Sequence, residues 1–383
     1  MALTQRRSVG ASRRVAVVAA DMRQLLRIRG PLLRVIAANG HKLLCLTGGV
    51  ANADIAELNG IGAEHREFPL GLGPIRALGD RRGVEQLTAD FVAWKPNVVL
   101  GLGLKPMVLA AIAAQRTATP RIVLIASSLE GLSRARDERP GMATRWLARR
   151  ALKAAHALVV HNVEHEQRLR EFDLVPPTLP LRVLPGAGVD LMRFAAQPLP
   201  PINDSLVFAM ITRRDRSKGI VEFCEAARRV KVKAPATRFL LATSPLQGQD
   251  ARKNIDLAQY VDCVETATAP ADTRALIAGC HVFVLPSHEE GMAHEVVEAL
   301  ACGRPAITSD IAGCRETVDE RVSGVLVPPR DTLALAAAME SFLRRPDQLT
   351  WMSQASRHKA ERRFDANAIA AELLDILELT HRG

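Results

Sequence analysis

Aromatic side chains are scarce in this sequence. They make up 4% of the residues, and Tyr260 is the only tyrosine. The formal charge is +10, yet nucleic-acid surfaces interleave their cations with aromatic stacking platforms, and those are missing. No nucleic-acid partner is expected. Nor is there an apolar run of the roughly 20 residues that cross a bilayer, and Asp21 and Arg23 interrupt the N-terminal stretch before it could read as a signal peptide. A cytoplasmic protein is expected, free or peripheral at the inner face of the membrane. The cysteines, Cys45, Cys224, Cys263, Cys280, Cys302 and Cys314, form no CxxC pair and share no zinc-like spacing with histidine, so they read as small core hydrophobes in a reducing compartment. The turn after the first strand, Ala20 to Arg23, has no GxGxxG, which argues against a dinucleotide. Neither metal nor cofactor is expected.

What the chain does have is length and aliphatic content. Its 383 residues, 48% of them apolar, suit two domains with separate cores. Strand-like runs alternate with helical periodicity, the pattern of parallel, doubly wound α/β sheets. Strands are expected at residues 14–19, 41–46, 97–104, 121–126 and 157–161, then at 206–211, 237–242, 281–285, 305–308 and near 324. Helices are expected at 27–38, 106–114, 140–153, 220–231, 250–259, 271–278, from 294, at 332–344 and at 366–379. Pro198, Pro200 and Pro201 read as a linker. We therefore expect an N-terminal domain at 1–198, a C-terminal domain at 199–360, and a last segment, 361–383, crossing back.

Charge divides unevenly between the halves. Residues 1–200 hold 28 Lys and Arg against 16 Asp and Glu, net +12, and the remainder is net −2. The first domain either faces something anionic or is simply very soluble. Within it, the helix at 140–153 sets Arg145, Arg149 and Lys153 at i, i+4, i+8 beside Met142, Trp146 and Leu147. Such a helix can lie on an anionic membrane surface, or can be an ordinary domain helix with a solvated face.

The most informative stretch is His281 to Thr317. A buried strand delivers the loop Ser287 to Ala293 to a helix N-terminus, the usual ligand position in open α/β sheets. Glu290 and Glu298 are separated by seven intervening residues, with Gly291 beside the first. Carboxylates accept from vicinal diols, so the pair could hold two ends of an extended ligand, although a solvated helix residue and a loop acid would look the same. Upstream, Arg213 and Lys218 bracket a loop that opens another helix, where both cations could meet one anionic group.

SHEEGMAHEVVEALACGRPAITSD followed by IAGCRETV resembles the signature of family 4 of the retaining glycosyltransferases, with its Glu-x7-Glu pair. LPGAGVDLMRF at 184–194 and RRDRSKG at 213–219 are similar to two further segments of that family, in the same order. The resemblance implies a GT-B architecture, two doubly wound Rossmann-like domains facing each other across a cleft. It also implies a retaining, metal-independent transfer from a nucleoside-diphosphate sugar, uridine being the commonest base, to a sugar or lipid-linked glycan acceptor in capsule, lipopolysaccharide or related surface-polysaccharide synthesis. By the same resemblance Arg213 and Lys218 neutralise the leaving diphosphate, Glu290 orients the donor sugar and Glu298 holds the ribose. Gly291, Met292, Ala293 and His294 would offer amides to the phosphates. Relatives often have an aromatic residue and Pro where this chain has Met292 to His294, and a His or Thr near the donor sugar where it offers Glu130. These departures, with the one at residues 20–23, leave a non-catalytic nucleotide-sugar-binding protein as an alternative, and another GT-B chemistry, a nucleotide-sugar epimerase, is the second.

Overall fold

The computed structural model describes residues 11–49, 52–71, 80–129, 132, 139–202, 205–244 and 255–380. The chain forms two compact units, one reaching to Ala187 and resuming at Ala366, the other Gly188–Asp365. The division falls before the proline stretch, not at residue 198. Val189 bridges Asp365 and Phe194 packs into the second core, which draws residues 188–198 into the C-terminal unit.

The N-terminal unit runs β1 (Arg14–Ala19), α1 (Met22–Ala38), β2 (Lys42–Thr47), α2 (Asn52–Ile61), β3 (Ala63–Glu67), α3 (Arg81–Trp94), β4 (Val98–Leu102), α4 (Leu104–Arg116), β5 (Arg121–Ala126), α5 (Met142–Ala154), β6 (Ala157–Val160), α6 (Val163–Glu171) and β7 (Leu181–Val183). Its sheet is ordered β3-β2-β1-β4-β5-β6-β7, and among the described residues its neighbouring strands run parallel. Helices cover both faces, so the central strands are continuous apolar runs. The turn expected at residues 20–23 is already the start of α1, because the Asp21 carboxylate caps it by accepting from the Gln24 amide at 2.8 Å.

The C-terminal unit runs β8 (Val207–Arg213), α7 (Ile220–Lys233), β9 (Arg238–Ser244), β10 (Glu265–Thr268), α8 (Arg274–Ala278), β11 (Val282–Leu285), α9 (His294–Ala301), β12 (Ala306–Ser309), α10 (Ala312–Arg315), β13 (Gly324–Val327), α11 (Thr332–Arg344) and α12 (Gln348–Arg363). Its parallel sheet is ordered β10-β9-β8-β11-β12-β13. The helix expected at 250–259 lies partly outside the described residues; Ile255–Leu257 is irregular and Ala258–Tyr260 is a 3-10 turn. The last helix, α13 (Ala366–Ile376), belongs to the first unit, where Ile369, Leu373 and Leu374 pack into the core beside α1. Among the described residues no helix is long and apolar enough to cross a membrane.

All six cysteines are buried and free. Burial pushes the thiols of Cys45, Cys224 and Cys280 up to about 12 and that of Cys302 to about 11. A chromogenic disulfide reagent at pH 8 should therefore find no reactive thiol in the folded protein and six in denaturant. Rapid labelling of the native chain would contradict this packing.

Candidate functional site

β8 and β11 are neighbours in the C-terminal sheet, and the loops leaving their carboxyl ends meet. β8 ends at the exposed Arg213. The chain then makes one 3-10 turn, Arg216–Lys218, capped by Asp215, which accepts from the Ser217 amide at 2.9 Å. Gly219 follows at φ 75°, a left-handed conformation that releases the chain into α7. A Cβ there would lie 2.0 Å from the carbonyl oxygen of Pro286, just after β11. The two loops are thus in direct backbone contact. The His288 amide extends that contact by donating to the Ser217 carbonyl at 2.7 Å, and the His288 ring meets the Glu222 carboxylate at 2.9 Å.

This contact brings opposite charges together under cover. The Lys218 ammonium is ion-paired with the Glu290 carboxylate, and the Ser287 hydroxyl donates to the same Glu290 oxygen at 2.8 Å. The Lys218 and Glu290 side chains are only 11% and 9% exposed, so their interaction is poorly screened. Burial opposes the charge on Lys218, but Glu290 and Glu295 outweigh it and hold the pKa above the ordinary lysine value, with Arg213 pulling the other way. Burial also dominates at Glu290, where Lys218 and Ser287 offset it only in part, and the carboxyl sits above its ordinary range. Gly313 closes the loop from the other side: its added Cβ would lie 2.3 Å from the Glu290 carbonyl oxygen.

The structure thus places Lys218 and Glu290 in contact, with Arg213 near enough to act on Lys218. Gly291, Met292 and Ala293 are buried within the loop. The expected row of ligand-facing amides is shorter than the sequence suggested, because Ala293 donates to the Gly313 carbonyl and His294 to that of Met292, each at 3.0 Å. Glu298 is a buried residue of α9. Glu130 lies outside the described residues. Ser287 and Glu295 were missed. Their sequence signals were a hydroxyl directly after the β11 proline and an acid in the first turn of α9.

An ammonium held charged beside an acceptor-only carboxylate suits a ligand carrying an anion next to hydroxyls. This stretch is similar to that of known glycosyltransferases. The glycosyl transferases group 1 family matches residues 205–345, which contain the whole cluster. WcaL, named as a colanic acid biosynthesis glycosyltransferase, from Escherichia coli (strain K12), is 30% identical over 201 residues, 50% of this chain and 49% of that one. The N,N'-diacetylbacillosaminyl-diphospho-undecaprenol alpha-1,3-N-acetylgalactosaminyltransferase of Campylobacter jejuni is 28% identical over 179 residues, 46% of each chain. The match thus spans about half the length of these curated relatives. Among solved structures, Anabaena Alr3699/HepE in complex with UDP and glucose aligns with a TM-score of 0.76 and 18% identity over 97% of this chain and 100% of that one. That likeness concerns the fold, which is GT-B with two parallel-sheet α/β units. Residues 205–345 of this chain are a glycosyl transferases group 1 domain.

Proposed function

We propose that the protein is a retaining glycosyltransferase of family 4 type, moving a sugar from a nucleoside-diphosphate sugar, UDP-linked by preference, to a lipid-linked glycan in cell-surface polysaccharide synthesis. The buried Lys218–Glu290 pair, joined by Ser287, carries this reading, because it sets a cation for a diphosphate beside an acceptor for sugar hydroxyls. In the transfer the acceptor hydroxyl attacks the anomeric carbon from the face the diphosphate leaves. The bond from that carbon to the diphosphate oxygen breaks, and the hydroxyl proton passes to the departing oxygen. Lys218 and Arg213 neutralise the growing diphosphate charge, while Glu290 orients the donor sugar and Glu298 the ribose. The names of the relatives, which concern colanic acid and an undecaprenol-linked sugar, support the acceptor class.

The test is release of nucleoside diphosphate from a panel of nucleotide sugars, with and without a bacterial lipid extract. Turnover should require one donor and the lipid, and Glu290→Ala should reduce it roughly tenfold to a hundredfold, the scale of a charge-assisted hydrogen bond. Interconversion of nucleotide sugars without acceptor would mark an epimerase instead. Donor binding with no release under any condition would mark a binding protein.

A further inference from the structure

Two of the three cations of the basic stripe expected on α5 are occupied within the fold. Arg149 is ion-paired with Asp173, and Arg145 donates to the Phe172 carbonyl at 3.4 Å. The face that stays open is a different one. Met142, Trp146, Arg150 and Lys153 follow at i, i+4, i+8 and i+11, with Met142 88% and Trp146 58% exposed. The Arg150 guanidinium lies over the Trp146 ring, 5.6 Å from its centroid. Beside them a groove of about 450 Å³ runs between α3, α4 and α5, floored by Val84, Leu109, Ile112 and Leu147. Arg116 of α4 and Arg150 of α5 line it too. The other charges of the groove cancel in pairs, Asp80 with Lys105 and Arg81 with Glu85, both at 2.7 Å. Arg116, Arg150 and Lys153 have no carboxylate partner among the described residues. Among the described residues, the uncompensated charge around this apolar floor is therefore positive.

We infer that this face docks on an anionic phospholipid bilayer. Met142 and Trp146 enter the headgroup boundary, an acyl chain lies along the groove, and Arg116, Arg150 and Lys153 meet lipid phosphates. An indole between an apolar floor and cations suits that boundary, where one side is apolar and the other wet. The contact inferred is a peripheral one.

The test is co-sedimentation of the whole protein with vesicles of phosphatidylcholine alone or with added phosphatidylglycerol, with no sugar nucleotide present. Binding should need the anionic lipid. It should weaken roughly a hundredfold in the variant combining Arg116→Gln, Arg150→Gln and Lys153→Gln, at roughly fivefold per cation near an anionic surface. Trp146→Ser should weaken it and Trp146→Phe should retain it. Lipids brominated on the acyl chain should quench the parent's fluorescence more than that of Trp146→Phe, which controls for Trp94 and Trp351. These positions are at the surface, so circular dichroism should not change. Equal binding by parent, Trp146→Ser and the triple variant would overturn the assignment, as would binding to neither vesicle. Inorganic phosphate competing as well as vesicles would reduce the face to an anion site and equally overturn it. Sugar transfer without vesicle binding would sink only this inference, and vesicle binding without transfer would sink only the catalytic reading.

Discussion

Lys218→Met should destabilise the C-terminal unit by about 3–5 kcal/mol and slow turnover by roughly a hundredfold to a thousandfold. Methionine keeps most of the side-chain volume but leaves the Glu290 carboxylate buried without its counter-ion, in a pocket where burial already outweighs every compensating contact. The second variant separates structure from chemistry. Lys218→Met combined with Glu290→Gln removes both charges, so most of the stability should return while turnover stays low. The pH dependence has a fixed sign. Glu290 has a folded-state pKa above its unfolded value, so its contribution to stability is present below the ordinary value of 4.5 and is lost as the pH rises through the folded value. Removing Lys218 raises that folded value further. The penalty of Lys218→Met should thus be small in acid and grow as the pH rises. Arg213→Gln is the control, since an exposed side chain can lose its role in turnover without loss of stability. Urea melts at two pH values, alongside diphosphate release, give all four readings. A double variant that regained turnover together with stability would show that Lys218 only holds the loop.

How much of this was legible depended on burial. Strands covered on both faces, such as β1, β5 and β11, announced themselves as unbroken apolar runs. β10, with all four residues exposed, and the half-exposed β7 have no such run and were not anticipated. The same holds for α12, whose apolar positions Leu349, Met352 and Ala360 are diluted by solvated polar side chains. At the site, Arg213, Lys218, Glu290 and Glu298 could be picked out by their spacing and family likeness. That Lys218 and Glu290 are partners could not, because residues 72 positions apart meet only through the adjacency of β8 and β11. Nor could the engagement of the Ala293 and His294 amides, which depends on where Gly313 and Met292 place their carbonyls. On α5 the sequence picked out Met142, Trp146 and Lys153 but also Arg149, since helical periodicity does not say that Asp173 waits beside Arg149.

Gly219→Ala should be as damaging as loss of Lys218, although it removes no functional group. The left-handed conformation at φ 75° alone would cost alanine about 1–2 kcal/mol. The larger share comes from contact: a methyl 2.0 Å from the Pro286 carbonyl oxygen forces backbone against backbone, with no flexible side-chain end to move aside. The total should reach about 3–5 kcal/mol, in the range of overpacked or strained sites. Gly103→Ala separates the two contributions. Gly103 also has a positive φ, 81°, but open space where its Cβ would go, so its penalty should stay near the conformational share of about 1–2 kcal/mol. The consequence for function follows from position. Pushing Pro286 away from Gly219 moves the loop that carries Ser287 and Glu290 off the turn that carries Lys218, so the ion pair opens and the diphosphate cation loses its place. Diphosphate release should fall by roughly a hundredfold or more, and faster amide hydrogen exchange should appear at residues 287–293 while the N-terminal unit is unchanged. Full turnover in Gly219→Ala would mean that the loops can separate without harm, and that the contact at Pro286 serves the fold alone.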